Sequence, residues 1–251
     1  MIETNKSDEI SDFLAFMRRI LGPDTVQDRA GSSADDIARF TAVVRFPLPQ
    51  LYIGYLREFG GKDRVLRMAD DSDSRLPSLL RFYEEQQSAT PSEIPPQTVV
   101  IGAHGLSGER VLLYPADAGD SKTSAAIEPA VAVSTIARVE YVCARNFRNH
   151  LYSQAVARGK ITDGFLLSVR REDEAFLPEA TEASRSLGFT SYWFSDEYVA
   201  SLERDDGTII QVVRTPSRTT IYGRFTTEAA RNEARSFFIT RYHVADNLVG
   251  R

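Results

Sequence analysis

A single cysteine, Cys143, excludes an internal disulfide framework and removes the cysteine pairs on which most structural zinc sites depend. Lysine is almost as scarce. It occurs only at positions 6, 62, 122 and 160, and no G-x-x-x-x-G-K-[ST] sequence is present, which argues against nucleotide hydrolysis on a phosphate-cradling loop. The three histidines, His104, His150 and His243, are spaced too widely for a local metal motif. No uncharged apolar run approaches the roughly 20 residues of a membrane-spanning helix. Where a secretion signal would carry a basic end, the amino terminus has Glu3, Asp8, Glu9 and Asp12, so no leader is expected. A formal net charge of −5 gives no basic field to displace counterions from phosphates, which argues against a general nucleic-acid binder. Together these absences predict a cytoplasmic protein without metal, cofactor or membrane segment, and they carry no signal of oligomeric state.

What is present is an ordinary globular composition, 42% hydrophobic and 26% charged over 251 residues, enough for two modest domains. Ile10, Phe13, Leu14, Met17, Ile20 and Leu21 fall on one helical face that ends at Gly22-Pro23. Ser33 and Asp36 form a capping-box start to a second helix with Ile37, Phe40 and Val44 inward. The third helix is bracketed by Pro49 and by Gly60, which is expected to close it in the left-handed conformation. Residues 65–68, 98–101, 110–114 and 130–133 read as strands of one sheet, with a helix over 77–87 between the first two. A long helical pattern covers 138–158.

From about residue 161 the organisation restarts, with a strand or hinge near 165–169 and a helix from Pro178 to Gly188. Segments 198–202, 208–213 and 219–222 then alternate with turn residues as a meander, and Thr227 caps a last helix. The expected organisation is therefore α+β in two parts, 1–160 and 161–251. The first part carries a mostly antiparallel sheet packed with helices.

The order ADDIARF (34–40), FPLPQLY (46–52) and LREFGG (56–61) resembles the amino-terminal signature of the SUKH superfamily, the Smi-and-Knr-type domains. The later TVVIGAHGLSGERVLLY (98–114), AVAV (130–133) and NFRNHLY (146–152) are similar to the rest of that pattern, so the resemblance spans about residues 1–158. It implies a curved sheet with the signature helix packed beneath it, and a role as an immunity protein that binds and neutralises a bacterial toxin. In that setting Tyr52 and Tyr55 are packing residues. The pattern does not account for residues 161–251.

Several chemistry-bearing stretches fail their motifs. Gly105 to Glu109 misses the nucleophile elbow at its fifth position, and Gly102, Gly105 and Gly108 miss the dinucleotide spacing. The strand that comes after them also contradicts the helix both motifs need, so the loop reads as a hairpin connection. Asp70, Asp71 and Asp73 fail the calcium-loop pattern, since Leu76 stands where glycine is required and Phe82 where the bidentate glutamate belongs. No catalytic, cofactor-binding or metal-binding residue is assigned.

Two partner-binding stretches remain. Asp70, Asp71 and Asp73, extended by Glu84 and Glu85, read either as a solvated acidic loop or as a surface that steers a basic protein partner such as a cognate toxin. Trp193, between Tyr192 and Phe194 and ahead of Ser195-Asp196-Glu197, reads either as core or as an exposed anchor. The functional expectation is a non-enzymatic protein-binding module. A scaffold binding a cellular partner, or an enzyme with a site assembled across both domains, are the other readings.

Overall fold

The computed structural model describes residues 8–27, 29–44, 46–62, 72–88, 94, 97–103, 110–114, 129–135, 138–158, 166–169, 175–216 and 218–242. The fold is α+β. It divides into two compact units, Met1–Ala155 and Val156–Arg251.

In the first unit, α1 (Asp8–Leu21) buries Phe13, Leu14, Met17 and Ile20, the stripe read from the sequence. It stops at Gly22, whose φ of 91° is a left-handed state that only glycine enters without strain. After the short α2 (Pro23–Gln27), α3 (Ala34–Val44) opens on the expected serine cap, with Asp36 in its first turn. The Asp36 amide donates to Ser33 Oγ at 3.1 Å, and the Ser33 hydroxyl donates to the Asp36 carboxylate at 2.8 Å.

The signature helix, α4 (Gln50–Phe59), buries Leu51, Tyr52, Tyr55, Leu56 and Phe59. Its rings join one aromatic cluster, with Tyr52 edge-on to Phe147 at 5.1 Å, Tyr55 stacked on Phe59 at 5.4 Å and Phe59 edge-on to Phe13 at 6.3 Å. The helix end corrects the sequence reading. Gly60 is right-handed, with φ −64° and ψ −16°, so glycine is required there for space and not for handedness. A Cβ on Gly60 would lie 2.5 Å from Ser32 Oγ, one on Gly61 2.5 Å from the Gly31 carbonyl oxygen, and one on Gly31 1.6 Å from the Arg57 carbonyl oxygen. Two backbone hydrogen bonds close this seam, from the Ser32 amide to the Leu56 carbonyl at 3.0 Å and from the Gly61 amide to the Ala30 carbonyl at 2.9 Å. The Gly60 carbonyl then accepts from the Leu76 amide at 2.8 Å, which sets the start of α5 (Leu76–Ser88).

The sheet of this unit runs β1 (Val99–Ala103), β2 (Arg110–Tyr114), β3 (Ala130–Thr135) and β4 (Arg138–Ala144) in that spatial order, antiparallel throughout. The strand expected at 65–68 lies outside the described residues. The single helix expected over 138–158 is instead β4 and then α6 (Phe147–Arg158). Val139, Tyr141 and Val142 suit a pleated strand against β3, and the Asn146 side chain accepts from the Asn149 amide at 2.8 Å, so the helix begins only after it. The division between the units falls in the last turn of α6.

The second unit has a sheet of order β5-β9-β8-β7-β6, antiparallel throughout, from β5 (Leu166–Val169), β6 (Thr190–Ser191), β7 (Val199–Glu203), β8 (Ile209–Thr215) and β9 (Arg218–Arg224). The meander over β7, β8 and β9 matches the sequence expectation, while the two-residue β6 has no counterpart in it. α7 (Phe176–Ser186) has Pro178 in its first turn and Gly188, at φ 84°, just beyond its end. α8 (Glu228–Tyr242) starts where the Ala230 amide donates to Thr227 Oγ1 at 3.1 Å. Phe176, Leu177 and Ala180 of α7 and Ala234 and Phe238 of α8 form one core with Ala200, Leu202, Ile210, Val212 and Ile221 of the sheet.

Arg204 pins the β7–β8 turn to α8. Its guanidinium donates to Asp206 and to Glu233, each at 2.8 Å, and lies 5.2 Å over the Phe189 ring. The hydrogen bond from Arg204, reinforced by the Thr208 amide, outweighs desolvation and lowers the Asp206 carboxyl to about 2. A carboxylate with a depressed folded value stabilises the fold above its unfolded value of about 4 and loses that contribution as the pH falls through the folded one. Asp206→Asn is therefore expected to be less stable than the parent near neutral pH. Denaturant titrations of the two proteins should converge as the pH is lowered from about 4 toward 2. A stability gap that stays constant across that interval would show that the ion pair is not its source.

Candidate protein-binding site

The turn between β6 and β7 is fixed mainly by hydrogen bonds to β7. The Tyr192 amide donates to the Ser201 carbonyl and the Asp196 amide to the Val199 carbonyl, both at 2.9 Å. Ser195 Oγ donates to the Ser201 carbonyl and accepts from the Ser201 amide, both at 3.0 Å. Asp196 Oδ1 accepts from the amides of Tyr198 at 2.9 Å and Val199 at 3.0 Å, an Asx turn that sets the path back into the strand. Backbone groups that a two-residue partner strand leaves open on β7 are thereby satisfied.

This scaffold sorts the three aromatics into different roles. Phe194 is fully buried, Tyr192 stacks on it at 5.0 Å, and the Tyr192 hydroxyl donates to Glu203 at 2.7 Å. Trp193 meets Phe194 edge-on at 5.5 Å yet remains 62% exposed, the one large hydrophobic side chain so displayed among the described residues. The core reading thus holds for Phe194, whereas Trp193 faces solvent. Sequence reasoning singles out the tryptophan but not the Ser195, Asp196 and Ser201 contacts that hold its turn. The signal for them is Ser-Asp-Glu ahead of a strand, which is Asx-turn composition.

The acidic stretch is less of a patch than its sequence suggests. Asp70 and Asp71 lie outside the described residues. Asp73 pairs through its backbone with Ala103, and its carboxylate accepts from Arg75 at 2.9 and 2.7 Å. Desolvation pushes the Asp73 carboxyl up, but hydrogen bonds from Arg75 and Ser78 outweigh it and bring it to about 2. Glu84 accepts from Arg39 at 3.0 Å, and the same guanidinium lies 3.5 Å from Asp36. Glu85 is exposed on α5. Two of these acids therefore already engage arginines, which shrinks the field available to steer a partner.

Of the groups weighed for chemistry, His150 is buried on α6, and the Cys143 thiol donates to the Val131 carbonyl at 3.3 Å. His104 and His243 lie outside the described residues. Among the described residues no three His, Cys, Asp or Glu side chains gather as a metal-holding group, and no helix is long and apolar enough to cross a membrane. Compared with protein-family models, with curated proteins and with solved structures, the chain gives no significant match.

Proposed function

We propose that this chain is a non-enzymatic, SUKH-type binding protein that acts in the cytoplasm by direct association with a protein partner, and that the partner is a bacterial toxin it neutralises. The toxin rests on the motif resemblance. The association is supported chiefly by one observation, the exposure of Trp193 on a hydrogen-bonded turn. Binding energy concentrates in a few aromatic or arginine anchors, and an anchor held rigid before binding loses little entropy on association. The signature helix α4 serves this reading as scaffold, because its aromatic side chains are buried.

The test is capture from the native cell and then titration of the purified partner. Trp193→Ala is expected to weaken binding by about 30-fold or more, the factor that corresponds to about 2 kcal/mol for a hot spot. Its unfolding free energy should change by about 1 kcal/mol or less, since the side chain lies mostly outside the core. Unaltered affinity in that variant would remove Trp193 from the interface. A captured partner whose activity the protein leaves intact would remove the neutralising role.

A further inference from the structure

Resting on that reading, we infer that the Trp193 surface receives a cationic group, an arginine or lysine side chain presented by the protein partner. The first support is charge. Residues 186–203 contain Asp196, Glu197 and Glu203 and no lysine, arginine or histidine. Of the arginines that bracket the segment, Arg204 is shared between Asp206 and Glu233. Arg185 donates to Glu182 at 2.8 Å and reaches Ser191 Oγ of β6 at 3.5 Å, so it brings one guanidinium, itself paired with an acid, to the border of the segment. Arg214, whose amide donates to the Tyr198 carbonyl at 2.9 Å, brings one positive charge to the neighbouring strand and leaves the acids in excess.

The second support is the receptor chemistry of the aromatic. An indole face attracts cations more strongly than any other side-chain ring, and the attraction grows when a partner excludes water. Trp193 is exposed, and its turn also carries the exposed Glu197. Glu203 is tied to the same turn through the Tyr192 hydroxyl. A basic side chain laid on the indole would meet complementary charge from this turn, whereas an acidic partner would be repelled by it. An uncharged apolar partner would gain the indole contact but would have to cover carboxylates without compensating them. Charge complementarity therefore selects the basic occupant.

Trp193 is the only tryptophan, so its indole Nε1–H gives one magnetic-resonance signal that reports on this site alone. The full chain would be titrated with peptides of about ten residues that alternate glycine with arginine, serine or glutamate. The arginine peptide is expected to move the indole signal to saturation at about 50 mM salt and to bind about tenfold more weakly at about 300 mM. Glu197→Gln should weaken that binding about threefold, and the serine and glutamate peptides should leave the signal in place. An indole signal unmoved by the arginine peptide, or moved equally by the serine peptide, overturns the cationic occupant. If partner capture still depends on Trp193 in that case, the interface reading stands and only its chemistry falls. If capture is indifferent to Trp193→Ala, the interface reading itself fails, and this proposal falls with it whatever the peptides do.

Discussion

Phe59→Ala is expected to destabilise the first unit by about 3 to 5 kcal/mol, the cost of emptying a fully buried aromatic site. The ring is 1% exposed, stacks on Tyr55 and meets Phe13 edge-on, so its removal leaves a cavity among aromatic neighbours that cannot collapse without rotating. The loss would be read from urea denaturation monitored by far-ultraviolet circular dichroism, as a lower midpoint at unchanged slope. Phe59 lies in the stretch that carries the SUKH resemblance, which makes the substitution informative about function too. A variant that keeps its stability but selectively loses its partner would mean that α4 is an interface and not scaffold.

Helical periodicity is the most legible feature of the sequence. α1, α3, α4, α5, α7 and α8 are recovered from apolar spacing and end signals, and Ser33, Thr227, Gly22 and Gly188 do at those ends what their residue types suggest. The failures share one physical cause. Val139, Val142 and Cys143 continue the inward spacing of Phe147 and Leu151 by coincidence, and only pairing with β3 shows that they are strand. Gly60 reads as a handedness requirement because its place after a helix is visible along the chain, whereas the loop packed across that helix end is not. The candidate site divides in the same way. An exposed tryptophan is a matter of which side of a turn faces the core, and nothing in Tyr192-Trp193-Phe194 ranks the three rings. Likewise the pairing of Glu84 with Arg39 joins residues 45 positions apart, so an acidic run read along the chain overstates the field that the folded surface presents.

Gly31→Ala tests the close approach at the end of α4, and it is expected to cost about 2 to 3 kcal/mol, near the upper end for overpacking. A methyl group there would lie 1.6 Å from the Arg57 carbonyl oxygen and 2.6 Å from its carbon, both backbone atoms, so no side-chain rotation relieves the clash. The loop must instead lift from the helix end. That movement breaks the hydrogen bonds from Ser32 to Leu56 and from Gly61 to Ala30, and it strains the 2.6 Å ion pair between Arg29 and Glu58. Gly22→Ala provides the contrast. It has open space around the added methyl but a φ of 91°, so its cost is conformational, about 1 to 2 kcal/mol. Denaturant titration of both variants separates the two demands on glycine. If Gly31→Ala loses less than Gly22→Ala, the loop is only loosely seated on α4, and the FGG sequence must be explained by something other than this seam.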